Sequence, residues 1–180
     1  RAFNADGTQK TSVTFDLTTA TIEVNEELDP AELDNFSASV DFDENTVNAT
    51  PQIIDSDVTF TLNESVLDGQ ILSISTDGGA EDQLGILNAG TGAGQIGVSG
   101  INVTYQGTII GTIISDGSNG ANLEISLNSN ATAASIEALI EHLTYANTSH
   151  NPTGSRSVSI DLFQLYGDGT GDELLINSDG

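Results

Sequence analysis

The apolar positions between Asn130 and Leu162 follow two periods in succession. Four aliphatic side chains first stand three or four residues apart, the spacing that places them on one face of an α-helix. They are Ile136, Leu139, Ile140 and Leu143. Thr132 or Asn130 can cap this helix, because a side-chain oxygen there accepts an N–H of the first turn. We therefore predict one short helix, over about residues 132–143.

The apolar residues then alternate with polar ones over Ser157–Leu162, which is the period of a half-buried strand. Similar short runs, separated by turns rich in Gly, Asn and Asp, occur along most of the chain. The other predicted strands are Thr11–Leu17, Ser37–Phe42, Val58–Leu62, Ile71–Ser75, Leu84–Leu87, Ile96–Val98, Ile101–Tyr105, Thr108–Ile114, Leu123–Leu127 and Leu174–Ile176. This pattern predicts an all-β protein, a β-sandwich against which the helix packs.

The first 35 residues are predicted to stand apart from the rest. Residues 10–17 (KTSVTFDL) match residues 155–162 (SRSVSIDL) position by position in chemical type. Tandem modules leave such self-similarity, although two strands can also match by chance. Residues 23–35 are acidic around Pro30 and predict a solvated linker or a short helical turn. We therefore divide the chain into residues 1–35, the end of a preceding module or an exchanged strand, and a module of residues 36–180.

The charge balance of the chain is extreme. Three basic residues, Arg1, Lys10 and Arg156, stand against 27 acidic ones, and the net charge at pH 7 is -24. Nucleic acids and anionic membranes bind basic surfaces, so we expect neither as a partner. The excess carboxylates either bind divalent cations or keep a secreted protein soluble in a salty medium. Because the chain begins with Arg1, we expect it to be part of a longer protein.

The residues needed for catalysis are sparse. The absence of cysteine excludes disulfides, zinc–thiolate sites and a thiol nucleophile. Of the two histidines, His142 falls near the predicted helix end, where a structural role is expected, and His150 falls in a turn. A glycosidase would use paired carboxylates, but the chain has no Trp and three Tyr as sugar platforms. We predict that the protein is not an enzyme.

Calcium binding is the chemistry that the acidic loops could perform. Ca²⁺ takes about six to eight oxygen ligands from carboxylates, amide side chains and backbone carbonyls. Three clusters offer such ligands, one after the predicted strand 37–42, one in the loop before Leu84, and one in a glycine-rich turn near the end. They are Asp43, Glu44, Asp55, Asp57 and Asp68; Asp77, Glu81 and Asp82; and Asp168 and Asp172. In Asp55-Ser-Asp57 the two carboxylates are predicted to share one face of a strand.

Four segments of the chain resemble a known family. They are ENTVNATPQIIDSDVTF, GTGAGQIGVSGINVTYQGTIIGT, NATAASIEALIEHLTYANTS and SRSVSIDL. Together they resemble the cadherin-like, immunoglobulin-type repeats that stand in tandem in large secreted bacterial surface proteins and adhesins. The resemblance implies an extracellular β-sandwich with calcium in its acidic loops. It also implies that Glu44 and the Asp55/Asp57 pair are ligands, because an acidic residue at the module start and an Asp-x-Asp motif are usual in that family.

The function expected from these observations is structural. We expect a non-enzymatic adhesive or spacer module at the cell surface, stiffened by calcium and in contact with neighbouring modules of the same or identical chains. A cell-surface glycan or protein would be its adhesive ligand. One alternative is a subunit of a filament or surface layer that assembles by strand addition between chains. A second alternative is a calcium-dependent carbohydrate-binding module.

Overall fold

A computed structural model describes residues 31–37, 39–62, 67–152, 155–165 and 171–174. The predicted strand 11–17, most of the acidic linker and Asp168 lie outside these residues. The described helices are α1 (Glu44–Ala49) and α2 (Ala133–Glu141), with a 3₁₀ turn at Ser118–Gly120. The strands are β1 (Glu32–Asp34), β2 (Gln52–Ile53), β3 (Thr59–Thr61), β4 (Gln70–Thr76), β5 (Asp82–Ile86), β6 (Ile96–Ser99), β7 (Asn102–Tyr105), β8 (Thr108–Asp116), β9 (Leu123–Leu127), β10 (Leu143–Asn147), β11 (Val158–Leu165) and β12 (Gly171–Leu174).

Seven of these strands form one antiparallel sheet in the order β12-β11-β4-β9-β8-β7-β6. Polar–apolar alternation determines which face each side chain occupies, and in β9 the apolar residues are buried while the polar ones between them are half-buried. The all-β class predicted from this alternation is confirmed. Most predicted strands of this sheet are present with their ends shifted by one to three residues, which is usual for strand boundaries.

The described residues also form two smaller antiparallel sheets, β1-β3 and β2-β10-β5. Strand β10 was not predicted, because Leu143 fits both the helical stripe and a strand. The helix ends instead at Glu141, where the backbone N–H of His142 bonds back to the carbonyl of Leu139. The next five residues pair with β5 along its whole length. Leu143 is buried as expected, but it lies in strand β10 and not in the helix.

The region from residue 32 to residue 49 differs from the prediction in two places. The acidic residues 32–34 form β1 against β3, so the prediction of a linker or helical turn was wrong for them. The predicted strand Ser37–Phe42 is not found in the described part of that segment, and the predicted connection after it contains helix α1. The Asp43 side chain accepts the N–H of Asn45 and caps this helix. The expectation of a single helix was therefore wrong.

One hydrophobic cluster joins the three sheets and α2. It contains Leu33 of β1, Leu84 of β5 and Ile74 of the large sheet, and α2 contributes Ile136 and Leu139. The predicted helical stripe therefore faces the core. At the start of α2 the side chains of Thr132 and Ser135 each bond the other's backbone N–H, so Thr132 is the cap, as predicted. Among the described residues, no helix is both long and apolar enough to cross a membrane.

Candidate functional site

A buried carboxylate, Asp82, is the centre of the most densely bonded polar group in the described structure. Its side chain is about 1% exposed. One oxygen accepts from the Arg156 guanidinium at 2.9 Å and from the Thr76 hydroxyl at 3.1 Å. The other accepts from the Tyr145 hydroxyl at 2.8 Å and from the Asn147 amide at 2.9 Å. Both oxygens are therefore satisfied by the protein itself, which is the condition for burying a charge at low cost.

The pairing of strands explains how these residues meet. Asn147 of β10 lies directly opposite Asp82 of β5, and Tyr145 is on the same face because it stands two residues away. Thr76 is the last residue of β4 and pairs with Val158 at the start of β11. Arg156 precedes that strand by two residues. The Asp82 group thus joins the sheet β2-β10-β5 to one end of the seven-stranded sheet.

The acidic residues predicted as the second calcium cluster surround Arg156. Glu81 forms a second, more exposed ion pair with the guanidinium at 3.2 Å. Asp77 accepts the backbone N–H of Ser157 at 2.8 Å, and this bond holds the pKa of its carboxyl below the ordinary value. The structure therefore brings this predicted cluster together, around a cation that the chain supplies.

The first predicted cluster is only partly assembled. Asp55 is buried and accepts the backbone N–H of Ser37 at 2.6 Å and that of Asp57 at 3.2 Å. Burial raises the pKa of the Asp55 carboxyl, but these N–H groups outweigh it and leave the pKa lowered. The pKa of Asp57 is raised, because its carboxyl shares a hydrogen bond with Asp55 and faces that negative charge. The two carboxylates are therefore close, but the prediction that they share one face of a strand was wrong. Asp55 and Asp57 lie in the connection between β2 and β3, where the Asp55 carboxylate accepts the N–H of Asp57 and turns the chain, so that Asp55 is buried and Asp57 is exposed.

The other predicted ligands are placed separately. Asp43 is the cap of α1, Glu44 is in the first turn of that helix, and Asp68 lies exposed in the turn before β4. The backbone of Asp172 is in β12 opposite Gln164. Within the described ranges, no group of three or more His, Asp or Glu residues is arranged to hold a metal ion. Calcium at the predicted residues stays a prediction.

A cleft of about 730 Å³ opens beside the Asp82 group. It lies between residues 36–37, 39–42 and 44 on one side and residues 155–158 on the other. The strand residues Tyr145 and Asn147 also line it, and we call it the Tyr145 cleft. The ring of Phe42 stacks on that of Tyr145, with centroids 6.2 Å apart and planes 13° from parallel. Polar and apolar side chains therefore share the walls of this cleft.

The residues that accompany Asp82 were not predicted from the sequence. Arg156 was noted as one of three basic residues but received no role, and Tyr145 and Asn147 lay beyond the predicted helix. One of just three basic residues in a chain with 27 acidic ones is a usable signal, because it is the natural partner for a buried carboxylate. Gly78 was also missed: a Cβ there would collide with the Asp82 carboxylate and lie 2.5 Å from Arg156 Nε.

The two described histidines were expected to have structural places. His142 follows α2 directly, and its Nδ1 lies 2.7 Å from the carbonyl oxygen of Ala138 in the last turn. This contact satisfies one of the carbonyls that a helix end leaves without an intrahelical partner. His150 is exposed in the connection between β10 and β11.

Three comparisons with known proteins were made. No protein-family model matches the chain, and neither a curated protein nor a solved structure matches it significantly. The interpretation of the site therefore depends on its own geometry.

Proposed function

We propose that this chain is a non-enzymatic structural module of a large extracellular surface protein, with a β-sandwich fold of the immunoglobulin or cadherin type. Its task is to extend, space or adhere. The fold proposal is supported by antiparallel sheets that share one core with α2. The observation that carries the functional proposal is the Asp82 group, whose buried polar atoms bond one another across two sheets.

The chemistry of this group suits cohesion better than reaction. A catalytic carboxylate or base has to reach a proton or an atom of the substrate. Asp82 is instead enclosed, and each of its oxygens already accepts at least two hydrogen bonds. The group connects the sheet β2-β10-β5 to the segment that precedes β11. Strand β11 in turn forms seven residue pairs with β4. A pull on this end of the large sheet therefore acts on the ion pair as well as on the strand ladder.

Force spectroscopy tests the structural role. Copies of the chain placed between marker domains of known unfolding force should unfold in single all-or-none events. Arg156→Met should lower the unfolding force, because the variant loses the guanidinium bonds to Asp82 and Glu81, whereas the exposed substitution Asp68→Asn should not. Extension without an unfolding event, or equal forces for both variants, would contradict a role in resisting load.

Calcium is the second part of the proposal. We expect the melting temperature to rise when Ca²⁺ replaces Mg²⁺ at equal ionic strength, because carboxylates that repel one another are bridged by the ion they prefer. The matched ionic strength is essential, since any salt screens a net charge of -24. The double variant Asp55→Asn/Asp57→Asn should lose the difference, and Asp116→Asn, outside the predicted clusters, should keep it. Equal melting in Ca²⁺, Mg²⁺ and a chelator would remove calcium from the proposal.

Assembly by strand addition is a second candidate, and the two edges of the large sheet favour a particular form of it. At the β6 edge, the Asn88 amide donates to the carbonyl of Val98 at 3.0 Å and accepts its N–H at 3.2 Å. The backbone N–H groups of Ala89 and Gly90 cover the carbonyl of Ile96. At the opposite edge, no strand among the described residues pairs with the outer side of β12. Assembly between chains would therefore use the β12 edge.

The cover on β6 can be tested by Asn88→Ala. The variant exposes the N–H and C=O of Val98 on an edge strand, so we expect concentration-dependent self-association and a loss of about 1 kcal/mol in the free energy of unfolding. Sedimentation velocity over a range of concentrations measures the first, and urea unfolding the second. Thr91→Ala, an exposed change in the same loop, is the matched control. A variant that sediments like the parent at every concentration would show that Asn88 does not protect this edge.

A further inference from the structure

The Tyr145 cleft is lined by a combination of acidic and apolar side chains that the packing of the surrounding elements does not require. Three carboxylates line it, those of Asp41, Glu44 and Asp55, together with aromatic and aliphatic side chains. We propose that this cleft binds the side chain of a lysine or arginine carried by a partner polypeptide. The proposal goes beyond the structural role, because a spacer module needs no ligand.

The walls of the cleft fit the apolar stem of such a side chain. The stacked rings of Phe42 and Tyr145 line the cleft, and Val40 is 45% exposed at the same cleft, so part of its wall is apolar. Lysine and arginine bury their methylene stems along such surfaces while the charged end stays with polar groups. Aromatic faces also attract the cationic end directly.

The charges at the cleft favour a cation. Among the described residues that line it, Arg156 is the one basic side chain, and its charge is matched by Asp82 and Glu81. The carboxylates of Asp41, Glu44 and Asp55 then leave the cleft net negative. Asp55 is held in place by backbone N–H groups, so its charge stays fixed at the wall of the cleft. Charges lining a recess are screened less than charges on an open surface.

The partner is expected to be a different protein and not a second copy of this chain. Two copies, each with a net charge of -24, repel each other over the distance at which they would meet. Each copy also has just three basic residues, one of which is the paired Arg156. Charge complementarity therefore points to a basic segment of another polypeptide, which the acidic surface would also attract from a distance.

The test is a titration followed by ¹⁵N–¹H NMR with two small probes. Nα-acetyl-lysine N-methylamide carries the cation, and its Nε-acetylated form has the same stem without the charge. We expect the first probe to shift the amide signals of Val40, Tyr145 and Arg156 with a Kd of about 1 mM, the strength expected of a single side chain. The Nε-acetylated probe should leave these signals in place.

Two variants locate the binding charge. Asp41→Asn/Glu44→Gln removes two carboxylates from residues that are exposed or half-exposed, and it should weaken binding about fivefold or more. Asp68→Asn/Asp116→Asn removes the same charge from two exposed positions outside the cleft and should leave the Kd unchanged. The same spectra show whether each variant is folded.

Three results would overturn the proposal. The first is the absence of localised shifts at about 10 mM probe, which is well above the expected Kd. The second is equal binding of the charged and Nε-acetylated probes. The third is equal weakening by the two double variants, which would mean diffuse attraction to an acidic surface and not a site.

Discussion

Asp82→Asn is expected to lower the free energy of unfolding by about 3 kcal/mol or more, because it leaves Arg156 without its buried counter-charge. The side chain of Arg156 is about 12% exposed, so water replaces little of the lost interaction. Domains of this size are stable by about 5–15 kcal/mol, so the variant should unfold at a much lower urea concentration. Urea unfolding followed by circular dichroism measures the change.

Two further variants show whether that loss belongs to the ion pair. Asp68→Asn has the same chemistry in an exposed turn, and asparagine followed by Gly69 is also a good turn, so its effect should stay below about 0.5 kcal/mol. Asp82→Asn/Arg156→Met should be less destabilised than the sum of the single variants, because removing both charges leaves neither unpaired. Additive losses would show that Asp82 and Arg156 stabilise the fold independently.

Local periodicity predicts most of the large sheet. In β9 the residues alternate strictly, and the buried Leu123 and Ile125 lie opposite the buried Ile74 and Leu72 of β4, so the two-residue period predicts this strand without ambiguity. The apolar face of α2 is likewise predicted correctly, since Ile136, Leu139 and Ile140 are all buried in the core. In these elements the local preference and the tertiary environment favour the same structure.

Periodicity fails to predict an element whose structure is determined by contacts with distant parts of the chain. Leu143 continues the helical stripe of α2, but pairing of β10 with both β5 and β2 provides more backbone hydrogen bonds than another helical turn would. Helix α1 has six residues and a single buried side chain, Val47, which is too little for a helical period to be recognised. Strand β1 is acidic and short, and its pairing with β3 is set by the buried contact of Leu33 with the core.

The residues of the candidate site were likewise predictable only where their contacts are local in sequence. Asp55 and Asp57 were predicted to lie together, because two residues of spacing are a local property of the chain. Two of the partners of Asp82, Asn147 and Arg156, are 65 and 74 residues away in sequence, and only the folded chain brings them to it. An acidic loop without such partners looks like a calcium site. The sequence therefore predicts that carboxylates gather here, but not that a guanidinium meets them.

Gly78→Ala is expected to destabilise the protein by about 2–4 kcal/mol, although it adds a single methyl group. The new Cβ would occupy the position of an Asp82 carboxylate oxygen and approach Arg156 Nε to 2.5 Å. Since Asp82 is held by four other side chains, it cannot turn away without leaving some of them unpaired. The ion pair between Asp82 and Arg156 should therefore be lost, as it would be in a variant that lacks either residue.

The neighbouring glycine provides the matched control. A Cβ at Gly79 would meet the end of the Glu81 side chain, which is about one third exposed and free to move outward. Gly79→Ala should therefore cost less than about 1 kcal/mol, as expected for a surface change that disturbs an exposed ion pair. In the Asp82→Asn background, where the buried pair is already lost, Gly78→Ala should cost clearly less than in the parent. An undiminished cost there would mean that the methyl group disturbs the loop itself, and that the space beside Gly78 is not kept for the ion pair.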